Sequence, residues 1–340
     1  MPITITTDEV HEFTHAVAGL EIDFVRTERG FGPAEMTSVD TPVAKISVGT
    51  MGFASIMQSE PPPGTVVVQL LPVAGGVTMC GVEMHPDRPS LFVPGTTVFG
   101  RLAAGVHATT LVASGQALQA LAADLGTGDL DLGRTRPAME PTPQVQQLVA
   151  RLRDVSLHPD LAEQASNDTR LLESVVRALA ATQPQHVRHL RRRDSGTIVA
   201  LAREHADRSG SWLPTISELC RAALTSESGL RAAFVEVLGV PPSTYFQVRV
   251  LSELRRLLLV ADPQIDTVSG LASSLGLTHF GRVAERYRAL FGETPRQTLK
   301  HRSVGRESAP PFARAIGLAE HQPPDPVRLL APLRQPTPQP

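Results

Sequence analysis

Residues 216–239 read ISELCRAALTSESGLRAAFVEVLG, and residues 268–292 read VSGLASSLGLTHFGRVAERYRALFG. In the first stretch a short helix over Ile216–Ala223 is followed by Leu224 and Thr225. Ser226 then stands where an N-cap belongs, because its hydroxyl can accept a bond from a free backbone amide. Leu230, Ala233, Phe234 and Val237 recur at helical spacing and form the buried face of the next helix, which Gly239 stops. The second stretch repeats this arrangement. Val268, Leu271, Ala272 and Leu275 make a short helix, and Gly276 supplies the turn. Phe280, Val283, Ala284, Tyr287 and Phe291 give the buried stripe of a longer helix that ends at Gly292. On this reading Leu230 and Phe280 hold equivalent places, 50 residues apart. Each stretch is a pair of helices joined by a tight turn, a helix-turn-helix, whose second helix can enter a major groove.

A helix over about Ser243 to Val260, carrying Val248, Leu251, Leu254 and Leu258, connects the two units. A rigid connector would hold the second helices apart, so that they reach successive major-groove faces about 34 Å from one another. Upstream, Ile198, Leu201, Ala202 and His205 begin a further helical stripe.

The segments 216–259 and 268–299 resemble the first and second halves of the AraC/XylS DNA-binding module. The second half includes an Arg-containing helix and the ending Phe291-Gly292-Glu293-Thr294-Pro295. The likeness covers about 105 of the 340 residues. It implies base- or phosphate-contacting roles for Ser226, Ser228, Arg231 and Ala232 on the first recognition helix, and for Thr278, His279, Gly281 and Arg282 on the second. Arginine can bridge guanine O6 and N7, and His or Thr can donate to base edges or phosphate. Arg255, Arg256, Arg286 and Arg288 are expected as phosphate contacts or solvated charge rather than base readers. Two departures stand out. Leu224 occupies the first turn, where the family usually has Gly, and Gly229 and Ala232 leave the first recognition helix with little base-reading chemistry.

The charge distribution agrees with this division. Residues 1–184 carry 11 Lys/Arg and 20 Asp/Glu, a net of −9, whereas residues 185–302 carry 17 and 11, a net of +6. Only the C-terminal half is therefore suited to meet a polyanion. The whole chain, with a net charge of −2 and 41% hydrophobic residues, has a globular composition and no apolar run long enough to span a membrane. The opening MPITITTDEV lacks the basic and apolar regions of a signal peptide, and Cys80 and Cys220 are the only cysteines, so a cytoplasmic location is expected.

Residues 20–135 read mostly as strands. Ala44–Val48, Thr65–Leu71 and Ser90–Val93 are broken by Pro61-Pro62-Pro63-Gly64, Gly75-Gly76 and Pro94-Gly95, the pattern of a sandwich or barrel. Ser114–Leu125 reads as a closing helix. After Pro143 helical spacing returns, with Val145, Leu148, Val149 and Leu152, then Leu171, Leu172, Val175, Val176 and Leu179. The expected class is α+β: a cupin-like β-barrel domain over 1–140, a helical dimerisation or linker segment over 141–194, the all-α double helix-turn-helix over 195–302, and a Pro-rich, disordered tail over 303–340. His186–Arg193 reads as the linker itself.

The stretch from Leu91 to Gly95, followed by Val98–Val112, is similar to the last strands of the cupin-like sensor domain found in many AraC-type regulators. That likeness implies a pocket for a small-molecule effector, with Val68, Leu70 and Phe92 as inward candidates that read better as plain core. It also implies promoter DNA, RNA polymerase and a second copy of the chain as partners. No cofactor is expected. No metal is expected either, since only Glu83 accompanies His85. Two rivals are weighed. The first is the same regulator with a sensor domain that only dimerises or binds a protein; a filled barrel would favour it. The second is a zinc enzyme, because His11-Glu12-Phe13-Thr14-His15 fits His-Glu-x-x-His. The pattern lacks a third ligand, with Ala18 at the Gly position of the longer form, and sits beside a β domain.

Overall fold

The computed structural model describes residues 3–13, 20, 22–30, 32–40, 44–71, 76–157, 169–182 and 195–304. The expected linker His186–Arg193, the tail beyond 304, and Thr14, His15 and Ala18 of the His-Glu-x-x-His segment lie outside them.

Among the described residues eleven strands form two antiparallel sheets. In the first, β1 (Ile3–Thr7), β3 (Ala34–Asp40), β4 (Ala44–Met51), β11 (Val106–Ser114), β6 (Thr65–Leu70) and β9 (Ser90–Phe92) lie side by side in that order. In the second the order is β2 (Ile22–Arg26), β5 (Ser55–Ser59), β10 (Val98–Leu102), β7 (Thr78–Met79) and β8 (Val82–Glu83). Strand β1 precedes the span expected to be β, and it pairs with β3 in the register Ile5 to Met36.

The space between the sheets is filled by large side chains, among them Phe13, Phe53, Met57, Met79 and Phe92. Period-two alternation sends neighbouring residues to opposite faces. Along β6, Val67 faces this interior, while Val66, Val68 and Leu70 face away. The expectation of Val68 and Leu70 as inward positions is therefore corrected; only Phe92 of the three points inside. Thr65 and Gln69 share the face of Val67, so the more apolar face of β6 is the one turned to the covering helices and not the one between the sheets.

The outer face of the six-stranded sheet is covered by α1 (Gly115–Asp124), α2 (Pro143–Leu157) and α3 (Thr169–Ala181). Ser114 caps α1 by accepting from the Ala117 amide. The stripes Val145/Leu148/Val149/Leu152 and Leu171/Leu172/Val175/Val176/Leu179 are spent on this sheet and on each other. Full burial of each such side chain stabilises by about 1.5–3 kcal/mol.

The outer face of the second sheet, at Val25, Ile56 and Phe99, packs on the C-terminal helices. These are α4 (Ser195–Ser209), α5 (Ile216–Ala222), α6 (Glu227–Leu238), α7 (Pro242–Val260), α8 (Val268–Ser274), α9 (Phe280–Phe291) and α10 (Pro295–Val304). On α4 the buried stripe is Ile198, Val199, Ala202 and Ala206; Leu201 and His205, expected in it, are half-exposed. The connector α7 begins with Pro at its first turn and has 19 residues, so it spans about 28 Å. Its first half joins one core through Tyr245 and Phe246, which pack around Phe234 with ring centroids 5.8 and 6.1 Å away. Its second half joins a separate core with Ala272, Val283, Tyr287 and Leu290. Val248 touches both cores. The module is thus two lobes on one rod.

Candidate nucleic-acid interface

Each lobe presents a capped helix pair. In the first, Thr215 and Glu218 form a reciprocal capping box on α5. The bond from the Thr215 backbone amide holds the exposed Glu218 carboxyl below its ordinary pKa. The chain then turns through Leu224, which is left-handed (φ 50°) and 69% exposed. Ser226 accepts from the Gly229 amide at 3.1 Å and starts α6. A Cβ on Gly229 would stand 2.4 Å from Thr225 Oγ1, so a larger residue there requires the Thr225 hydroxyl to turn away. Gly239 ends α6 in the left-handed region.

In the second lobe Thr267 caps α8 by accepting from Gly270, and Gly276 makes the turn at φ 78°. His279 stands at the N-cap of α9 but makes no capping bond, which leaves its imidazole available. Phe280 departs from the expected buried stripe. It is 43% exposed, whereas Val283, Tyr287 and Leu290 are buried. Leu230 is the fourth residue of α6, and Val283, the fourth of α9, is its true counterpart. Phe280 sits at the first position, too early to reach the core.

Ser226, Ser228, Arg231 and Ala232 are exposed along the N-terminal half of α6, and Thr278, His279, Gly281 and Arg282 at the start of α9. An added Cβ at Gly281 would meet nothing within 4 Å, so no internal contact demands glycine there.

The arginines of the module separate into two sets. Arg203 bonds Asp23 at 2.5 Å, Arg249 pairs with Asp207, and Arg256 pairs with Glu253 at 2.6 Å. Arg255 takes Glu9 at 2.5–3.0 Å through Nε and Nη2, and Glu293 at 2.8 Å through Nη1. It also lies 4.8 Å from the Phe291 ring centroid. Burial works against the charge of Arg255, but the Glu9 carboxylate outweighs it and the pKa is raised. Arg255, largely buried between two carboxylates, is neither a phosphate contact nor solvated charge, a correction of the expectation from sequence, whereas Arg256 is exposed beside Glu253. Arg231, Arg282, Arg286 and Arg288 carry no ion pair among the described residues and are exposed.

The β domain grips the module at both recognition helices. Arg101 of β10 lies over Gly239, where an added Cβ would stand 2.6 Å from its Cδ. Arg29 lies over Gly292, with the same atom 2.7 Å from its Nε. Each arginine thus meets the C-terminal end of a helix, where a cation is favoured. None of these partners, nor Glu9 and Asp23, was marked in the sequence by any local pattern. A cleft of about 370 Å³ remains between the Thr27–Arg29 loop and α7/α9, and another of about 280 Å³ between α7 and the start of α9.

Residues 219–301 match the family model described as a helix-turn-helix domain. Over 102 residues the chain is 34% identical to XylDLEGF operon transcriptional activator 1 of Pseudomonas putida, covering 29% of this chain and 31% of that protein. It is 29% identical over 103 residues to a probable thc operon regulatory protein of Rhodococcus erythropolis, covering 30% and 31%.

The chain carries an AraC/XylS-type helix-turn-helix module.

The alignment with these relatives spans about a third of their length. Among solved structures, the AraC-like transcriptional activator CuxR aligns over 80% of this chain and 100% of its own, with a TM-score of 0.37 and 15% identity. ToxT from Vibrio cholerae aligns over 82% and 97%, with a TM-score of 0.27 and 9% identity. No described helix is long and apolar enough to cross a membrane.

Proposed function

We propose that this chain is a sequence-specific regulator of transcription that binds promoter DNA through both lobes of the AraC/XylS module. One observation carries the reading. Two helices, α6 and α9, expose their N-terminal halves, each with an unpaired arginine (Arg231 and Arg282), and a single rod of about 28 Å holds them apart. Ser226, Ser228, Arg231 and Ala232 would face one major-groove segment, and Thr278, His279, Gly281 and Arg282 the next. The β domain over 1–140 and the helices over 141–194 form the regulatory part, working in the cytoplasm on a homodimer that engages RNA polymerase. A small-molecule effector bound to the β domain would act by altering its grip on the module.

A second reading keeps the DNA-binding role but gives the β domain a dimerising or protein-binding task. The filled space between the sheets, with Phe13, Phe53, Met57, Met79 and Phe92 buried, favours it over an effector inside the barrel.

The test is a genome-wide map of bound sites, followed by titration of one bound promoter duplex at rising salt. Affinity falls steeply with salt on this reading, because neutralised phosphates release counterions. Absence of binding to any promoter, or binding indifferent to salt, contradicts it.

A further inference from the structure

The cleft of about 280 Å³ between α7 and the start of α9 has walls of unequal chemistry. Its floor is apolar, from Val250, Leu251, Leu277 and Val283. Its rim carries Gln247 from the rod and Thr278, His279, Arg282 and Arg286 from the second lobe. Every polar group on that rim can donate a hydrogen bond, and no carboxylate lines the cleft. Arg282 and Arg286 stand one turn apart on the same face of α9, and neither has an ion-pair partner among the described residues. Two guanidinium groups beside an apolar floor, with neighbours that can donate and no carboxylate among them, make a place for an anion.

From this arrangement we infer that the cleft seats a backbone phosphate of the bound duplex, held chiefly by Arg286 and by the Gln247 amide. The inference rests on the DNA-binding reading and adds a contact from outside the recognition helices. A phosphate is the anion the location selects. The cleft opens beside Thr278 and His279, at the end of α9 that enters the groove, and phosphates line every groove edge. Arg282 lies nearer that end and reaches toward the bases, while Arg286 is one turn further back. Gln247 belongs to the rod, so a phosphate bonded to both would lock the second recognition helix against the connector and fix its depth in the groove. Such contacts set register and orientation and carry no base preference.

The test uses the full chain and its selected duplex, beside a scrambled duplex, over a range of salt. Arg286→Ala is expected to weaken binding to both duplexes by about tenfold and to lower the salt slope by about one. Arg286→Lys, which keeps the charge, retains the slope and reports on folding. A set of duplexes with single neutral methylphosphonate linkages then locates the seat. One position costs the wild type affinity but costs Arg286→Ala and Gln247→Ala almost nothing further. If no position shows such non-additivity, or if Arg286→Ala loses affinity only on the selected duplex, the phosphate seat is wrong while the DNA-binding reading stands. If the wild type binds neither duplex, both fail together.

Discussion

Arg255 on the connecting helix and Glu9 beside the first strand, 246 residues apart, meet in a two-pronged ion pair that bolts the β domain to the rod. Arg255 is only 12% exposed, and its remaining prong holds Glu293 just past the second recognition helix. Removing the guanidinium takes the cation from between two largely buried carboxylates, of which Glu293 keeps the bond donated by the Thr298 hydroxyl. Arg255→Ala is expected to destabilise the chain by about 3 kcal/mol. In a double-mutant cycle with Glu9→Gln, denaturant unfolding should show coupling of about 1.5–3 kcal/mol. Strictly additive effects would mean that the pair does not join the domains.

Leu224 gains nothing from its side chain. It is exposed, and its left-handed backbone costs an L-residue about 1–2 kcal/mol. Glycine relieves that strain but frees the unfolded chain. Leu224→Gly should therefore raise stability by about 0.5–1 kcal/mol, read as a higher melting temperature. An unchanged or lower melting temperature would show that the leucine packs where the turn leaves it open.

Gly281 presents the opposite balance. Alanine there would point into open space and improve the helix by about 1 kcal/mol. If the start of α9 lies against base edges, the added methyl group stands between helix and DNA. Gly281→Ala should melt higher than the wild type yet bind its duplex at least tenfold more weakly. Higher stability with undiminished affinity would remove Gly281 from the interface.

How much of this was legible beforehand follows from where the information sits. Caps and turns are local, so Ser226, Gly239, Gly276 and Gly292 announced the two helix pairs and the rod between them. The direction of β6 was misleading, because its more apolar face, Val66, Val68 and Leu70, lies under helices brought from later in the chain rather than between the sheets. Phe280 satisfied the helical period without entering the core, since periodicity identifies a face but not where the helix starts. The division of arginines into bolts and free donors was equally hidden. Arg255 and Arg286 look alike in sequence, and only the arrival of Glu9 from the far end of the chain distinguishes them.

The two tyrosines give a clean alkaline probe, since the chain has no others. Burial pushes the Tyr287 phenol up to about 12, and burial also raises Tyr245. A phenol whose folded pKa exceeds its unfolded value contributes stability that is intact below about pH 10 and is lost as pH rises toward 12. Phenolate absorbance should therefore stay low above pH 10 and appear together with loss of helical circular dichroism. In Tyr287→Phe, stability should fall less steeply between pH 10 and 12. Phenolate forming near pH 10 in the folded protein would contradict the burial.

Binding-site selection from random duplexes, with the full chain at one salt concentration, tests the two-helix reading most directly. The expected product is a motif of two blocks centred about 10 base pairs, one helical turn, apart. Arg231→Ala should relax one block and Arg282→Ala one position in the other, each at a cost of about 1–3 kcal/mol on the selected site. Arg288→Ala should leave the motif intact. A motif with a single block, or one that neither Arg231→Ala nor Arg282→Ala alters, would contradict the account.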